Sequence, residues 1–423
     1  MNGNGLIVGI NEKPKSIGSW IVLSLQHVFA MFGATVLVPL LTGLDVGVAL
    51  VASGIGTLIY IFCTKAKVPV YLGSSFAYIT TISAAILSAG GPGTAYVGLM
   101  VVGLIYVLIA VIIGFVGSGW LKKLLPPVVI GPMIIIIGLS LAPVAIGSAG
   151  FNGATSYKEP LVAFITFITV VILSIKAKGF LRIVPFLVAI FVGYLVAVLV
   201  GLVDLTTVFQ GYRFFQLPNF SFIGTYAVDF SAVLMFAPLA FVTIAEHIGD
   251  HVVLGEITGN DFIKDPGLHK TLLGDGIATF VSAAIGGPAN TTYGENTGVI
   301  AITKVGSVWV TGLAAVFAIL LGFFGWIQAF INSIPWAVIG GMTIVLYGLI
   351  AANGVKVLIK DKTDLSKMKN LIIVSTMLVI GLGGALLNVT TTTTLSGMSL
   401  AMIAGILLNA IITMLEKVGP TEE

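Results

Sequence analysis

The stretch Pro288-Ala289-Asn290-Thr291-Thr292-Tyr293-Gly294-Glu295-Asn296 decides how this chain is read. It opens the otherwise apolar run 288–303. As a helix it is poor, because Pro288 lacks an N–H, Gly294 is flexible and the paired threonines favour extended backbone. A second apolar run, 69–88, is weak in the same way and contains Pro69, Gly73 and the adjacent Ser74-Ser75. The architecture depends on whether these two runs cross a membrane.

Composition makes a membrane the natural setting. Of 423 residues, 57% are hydrophobic and 9% charged, against roughly 25% charged in soluble proteins. The net charge of +3 gives no case for nucleic acid. The single cysteine, Cys63, permits no intrachain disulfide and reads as a small packing residue. A span needs about 20 mostly apolar residues. Candidates lie at 20–41, 46–63, 69–88, 94–117, 125–146, 159–175, 183–203, 229–250, 268–286, 288–303, 307–325, 334–352, 370–387 and 396–415. The first is too long for a signal-peptide core of roughly 7–15 residues and reads as an uncleaved span.

The loop charges fix the count at fourteen. With both weak runs included, all of the 20 basic residues except Lys158 and Arg213 fall on one side. The positive-inside rule makes that side the cytoplasm and places both termini there. Omitting either weak run inverts every later loop and destroys the asymmetry.

The chain also echoes itself. Leu25-Gln26-His27 recurs as Ala245-Glu246-His247, Tyr71-Leu72-Gly73-Ser74-Ser75 as Thr292-Tyr293-Gly294-Glu295-Asn296, and Val129-Ile130-Gly131-Pro132-Met133 as Val338-Ile339-Gly340-Gly341-Met342. The order is the same and the offset nearly constant. Each repeat holds an odd number of spans, so the second enters from the opposite side. The expected fold is therefore an all-α polytopic membrane protein, a seven-plus-seven inverted repeat. Its divisions are 1–203 (spans 1–7), an external connector 204–228, and 229–423 (spans 8–14).

Inverted repeats build transporters whose site lies between the repeats at the midplane, formed by interrupted spans in matching positions. Spans 3 and 10 match. Half-helices beginning after Gly73 and Gly294 would aim their N-termini, with free N–H groups and the positive dipole end, at that site. Ionisable residues inside spans are functional candidates: His27, Glu246, His247 and Asp250, and Glu295 at the start of a half-helix. Glu246 and Asp250 share a helix face, Asp250 one turn nearer the cytoplasm. Either Glu246, Asp250 or His247 is positioned to carry a proton. His251 is expected at the membrane interface. His27 either orients a neighbour across the repeat axis or is a satisfied core histidine. The site holds acids and no arginine or lysine, which suits a neutral flat guest with alternating N–H and C=O groups. Phe76 either stacks on that guest or simply packs.

The segments Ser24-Leu25-Gln26-His27-Val28-Phe29-Ala30-Met31-Phe32-Gly33-Ala34-Thr35, Tyr71-Leu72-Gly73-Ser74-Ser75-Phe76-Ala77, Ala245-Glu246-His247-Ile248-Gly249 and Asn290-Thr291-Thr292-Tyr293-Gly294-Glu295-Asn296 resemble the nucleobase–ascorbate transporter family, and within it the bacterial uracil permeases. The run from Glu295 to Lys304 looks like the family signature. The resemblance implies proton-coupled import of a nucleobase across the bacterial cytoplasmic membrane. It also implies short strands in spans 3 and 10, a core domain from spans 1–4 and 8–11, and a gate domain from spans 5–7 and 12–14. It makes Glu246 and Glu295 the substrate carboxylates. The resemblance further implies that Phe76 and Gly294 supply backbone amides with Tyr293 beside them, that Ala34 lines the pocket, and that Tyr347 belongs to the gate. Uracil permeases tend to carry a histidine four residues after the span-8 glutamate. Here that residue is Asp250, as in the purine-carrying branch, so the resemblance leaves xanthine or another purine as the alternative to uracil.

An anion exchanger of the same architecture would want a cation at the half-helix tips, and none is found. An enzyme is not expected, since neither an HExxH pair nor a GxSxG elbow occurs. A channel would need a continuous polar stripe, which these spans lack. No cofactor or metal is expected. The expected partners are the nucleobase, the proton and the lipid bilayer; the sequence leaves a homodimer open.

Overall fold

The fold is described from a computed structural model covering residues 5–87, 90–153, 156–233, 235–389 and 394–418. Seven of its helices are long and apolar enough to cross a membrane: Ile17–Thr42, Val46–Cys63, Pro92–Val116, Pro127–Ser148, Lys158–Lys176, Trp336–Lys360 and Gly397–Glu416. Shorter apolar helices, among them Pro185–Leu199, Val308–Gly322 and Met368–Leu382, occupy the positions of spans 7, 11 and 13. Helices Ala237–Thr258 and Leu268–Ala284 are spans 8 and 9.

Spans 3 and 10 are each part strand and part helix. Span 3 runs through β1 (Leu72–Ser74), a 3-10 turn Phe76–Tyr78 and the helix Ile79–Ile86. Span 10 runs through β2 (Asn290–Thr292) and the helix Gly294–Thr303. The strands pair antiparallel, Leu72 with Thr292, Gly73 with Thr291 and Ser74 with Asn290. Extended backbone at membrane depth survives only if its polar groups are paired within the protein. Here hydroxyls replace the missing outer strands. Ser53 of span 2 donates to the Leu72 carbonyl at 2.7 Å, and Thr57 accepts from the Leu72 N–H at 2.9 Å. On the other edge Thr279 of span 9 donates to the Asn290 carbonyl at 3.1 Å, and Ser282 donates to that of Pro288. Spans 3 and 10 look anomalous to hydropathy because part of each is a strand, whose edges are sealed by hydroxyls of spans 2 and 9.

The helices pack in two groups. Spans 2, 4, 9 and 11 pack on one another around the crossed strands, with spans 1 and 8 against them. Spans 5, 6 and 12 form a second group, with span 13 on span 5 and on span 14. Beyond span 13 a second hairpin, β3 (Leu386–Asn388) with β4 (Thr394–Ser396), was not foreseen; Leu386 and Leu387 on it are exposed.

Two span frames differ from the sequence reading. Span 8, expected at 229–250, is the helix Ala237–Thr258. The apolar residues before it belong instead to the connector and the short turn Phe230–Val233. Span 12, expected at 334–352, extends as Trp336–Lys360. The later frame puts Glu246 in the middle of its helix. It also carries His251 inside the protein, where it is 1% exposed, rather than at the interface.

Candidate functional site

Span 8 is pinned at two points on one face. Thr243 meets Tyr78 of the first half-helix, hydroxyl to hydroxyl, at 2.8 Å. One face-length later, Asp250 accepts from the Thr292 hydroxyl of β2 at 2.5 Å. Glu246 lies between these anchors on the same face, so the helix presents it where the two strands cross. Asp250, Asp275 and Glu295 all lie within electrostatic range of Glu246. Glu246 and Glu295 are both half-buried, and Gly294 is exposed to open space.

Both half-helices begin without a side-chain cap, at Ser75 and at Tyr293. Their first N–H groups are thus donors in need of acceptors. Tyr293 fixes the crossing. Its hydroxyl donates to the Ser74 carbonyl at 3.0 Å and accepts from Thr35 of span 1 at 3.3 Å. Asn296 donates to His27 Nδ1 at 3.0 Å and to the His27 carbonyl at 3.1 Å, which ties span 1 to the turn that carries Glu295. His27 therefore orients a neighbour across the repeats and is also a satisfied buried histidine.

Phe76, Tyr347, Tyr293 and Ala34 belong to one apolar cluster. The rings of Phe76 and Tyr347 meet edge to face at 6.2 Å, across the seam between the two helix groups. Among the described residues, Ser75 Oγ, Asn296 Oδ1 and Tyr347 Oη are buried without a hydrogen-bond partner. Buried polar atoms are rarely left so, and these three flank candidate site residues: Ser75 precedes Phe76, Asn296 follows Glu295 and the Tyr347 ring meets that of Phe76. The arrangement offers carboxylates to accept, amides to donate and an aromatic to stack.

The neighbouring face of span 8, about a quarter turn round the helix, holds a group that the sequence reading missed in part. His247 Nδ1 lies 2.8 Å from Asp275 Oδ2 of span 9, both side chains being fully buried. The rings of His247 and His251 stack at 4.0 Å, and His251 Nε2 meets the hydroxyl of Tyr60. Asp275 was legible, because it is an acid inside the apolar run 268–286 and the rule that singled out Glu246 applies to it equally. His251 was not legible, because its burial depends on the shifted frame of span 8. No group of three or more His, Cys, Asp or Glu suited to a metal occurs among the described residues.

Crossed half-helices, helix starts without side-chain caps and buried acids between apolar spans define a class, the inverted-repeat membrane transporters. Solved structures agree on the fold. The transmembrane domain of the cyanobacterium bicarbonate transporter BicA aligns with a TM-score of 0.62 at 16% identity, covering 93% of this chain and 98% of that one. Murine Slc26a9, an anion transporter in the inward-facing state, aligns with a TM-score of 0.70 at 11% identity, covering 96% and 69%. Residues 18–390 match the permease family, and the chain belongs to that family. It is 49% identical to a uracil permease of Bacillus caldolyticus over 97% of this chain and 95% of that one. It is 42% identical to that of Escherichia coli (strain K12), over 98% and 96%. The chain is therefore a multi-pass membrane transporter.

Proposed function

We propose that this transporter is a proton-coupled symporter that imports a nucleobase, with uracil as the substrate. The observation that carries the reading is that span 8, with Glu246, is bonded to Tyr78 of one half-helix and to Thr292 just ahead of the other, whose first turn carries Glu295, and that neither half-helix has a side-chain cap. A uracil ring presents N–H groups to the carboxylates and C=O groups to the amides of Phe76 and Gly294. Phe76 stacks on its face, Tyr293 and Ala34 bound the pocket, and Tyr347 closes it from the gate. The names carried by the relatives support the same substrate. The segments 71–78, 243–251 and 290–298 contain no lysine or arginine, which disfavours anion exchange. The likeness to anion transporters extends to the fold alone. Asp250 favours a second reading, transport of xanthine or another purine. Competition of labelled uracil uptake by unlabelled bases separates the two.

The core of spans 1–4 and 8–11 moves against the gate of spans 5–7 and 12–14 in this reading, and the two packing groups support that division. Both termini lie in the cytoplasm of a bacterial cell. In a Cys63→Ala background, cysteines at Ser148 and Ser221 should react with an impermeant thiol reagent added outside, and cysteines at Ser16 and Thr363 should not. External labelling at Thr363 would sink the orientation.

Glu246 is the first proton carrier in this reading, with Asp250 one turn cytoplasmic as relay; His247, backed by Asp275, is the remaining candidate. In proteoliposomes a pH gradient should drive uracil accumulation by the unaltered chain. Asp250→Asn should bind uracil nearly as well and still exchange external for internal base, yet lose that accumulation. A ligand shifts an equilibrium only by its differential affinity for the two states, so coupling and binding are separable. Accumulation by Asp250→Asn at the unaltered rate across roughly pH 5 to 8 would make Asp250 a structural acceptor for Thr292.

A further inference from the structure

The half-helix carrying Glu295 is short, Gly294–Thr303, and a helix of that length is marginal without tertiary contacts. Its N-terminus is at the site. Its C-terminus is held by the chain ahead of span 1. The Ile7 N–H donates to the Lys304 carbonyl at 2.7 Å, the Gly306 N–H to the Val8 carbonyl at 3.0 Å, and the Val308 N–H to the Ile10 carbonyl at 2.9 Å. Val8 and Val305 form a parallel bridge. This is a strand-like clip across the joint between spans 10 and 11.

Side chains lock it. Leu6 is 2% exposed, and Gly306 permits its position, since a Cβ there would meet Leu6 at 3.0 Å. Ile10 packs on the cluster of Tyr60, Leu72, Leu254 and Ile300, which underlies β1, span 8 and span 10. Ser307 donates to the Glu12 carbonyl at 2.6 Å. Lys13 lies over the ring of Trp309 at 4.1 Å, and Trp20 Nε1 donates to the Trp309 carbonyl at 2.8 Å. The other repeat does the same at the opposite membrane face. There Tyr226 packs edge to face on Tyr96 at 5.4 Å, and the Asp229 N–H donates to Thr94 at 3.0 Å, just after span 3. Each repeat is thus preceded by a segment clasped to the joint that follows the interrupted span of the other.

We propose that residues 6–13 are a permanent latch that positions the span 10 half-helix, and through it Glu295, throughout the transport cycle. The latch fastens to spans 1, 8, 10 and 11 and so travels with them. The proposal uses the nucleobase reading only for its binding arm. The double variant Leu6→Ser/Ile10→Ser should exchange the amides of 295–303 for deuterium at least about tenfold faster than the unaltered protein, with spans 12–14 unchanged. Its uracil affinity should fall about fivefold. Faster exchange confined to 304–308, with 295–303 unchanged, would overturn the proposal, because the segment would then be a local tether. Should that variant fail to assemble, Gly306→Val displaces Leu6 alone and is read by the same exchange. In a Cys63→Ala background, oxidation of the Val8→Cys/Val305→Cys pair should leave uptake at the reduced protein's rate; arrest on oxidation would show that the latch must open and would also overturn the proposal. If the unaltered chain binds no uracil, the transport reading falls while the exchange measurement still decides the latch.

Discussion

Glu246→Gln and Glu295→Gln should each weaken uracil binding by roughly 30-fold or more, measured by calorimetry on purified protein, because truncating one partner of a desolvated charged hydrogen bond costs about 2–5 kcal/mol. The two reach the site by different routes. Glu246 rides on a helix whose face is fixed by the anchors at Thr243 and Asp250. Glu295 rides on the first turn of a half-helix and depends on Asn296 and His27 for its bearing. An amide keeps the shape of each side chain but turns half of its accepting edge into a donor. Unaltered affinity in both variants would mean that the guest is held elsewhere.

Gly73→Val should abolish uptake and destabilise the protein by about 1–3 kcal/mol or more, as overpacking of a rigid core does. A Cβ at Gly73 would meet the Thr35 hydroxyl at 2.8 Å and intrude on the ring of Tyr293. That ring cannot swing aside without losing its bonds to Ser74 and Thr35. Gly294→Ala is the informative contrast, because nothing in the protein lies within 4 Å of a Cβ there. It should melt where the unaltered chain melts yet bind uracil more weakly, since its methyl enters the guest's space. Equal melting temperatures for Gly73→Val and the unaltered chain would show that the strand crossing tolerates a side chain. Unchanged binding by Gly294→Ala would place the guest away from that half-helix.

Sequence alone determined the membrane class and the two interrupted segments, and it set the expectation of fourteen spans in two echoed halves. Each follows from one-dimensional quantities: apolar run length, the side on which basic residues fall, and the spacing of echoes. Glu246, Glu295, Asp250 and His247 were legible because an ionisable group inside an apolar run is costly and stands out. The same measure applies to Asp275, which the sequence reading passed over. Tertiary structure alone decided the rest. The frame of span 8 shifted because hydropathy cannot tell an apolar connector from an apolar helix, and His251 moved inward with it. Hydropathy reads Ser53, Thr57, Thr279 and Ser282 only as polar dilution of their spans. They become sheet edges once span 2 and span 9 flank the strands. The pairing of residues 6–13 with 304–308 joins segments that are 295 residues apart at Glu12 and Ser307, in a chain of 423, and unpaired backbone N–H and C=O groups carry no residue code for their partners. Hydrogen bonding between distant backbones is settled only when packing brings them together.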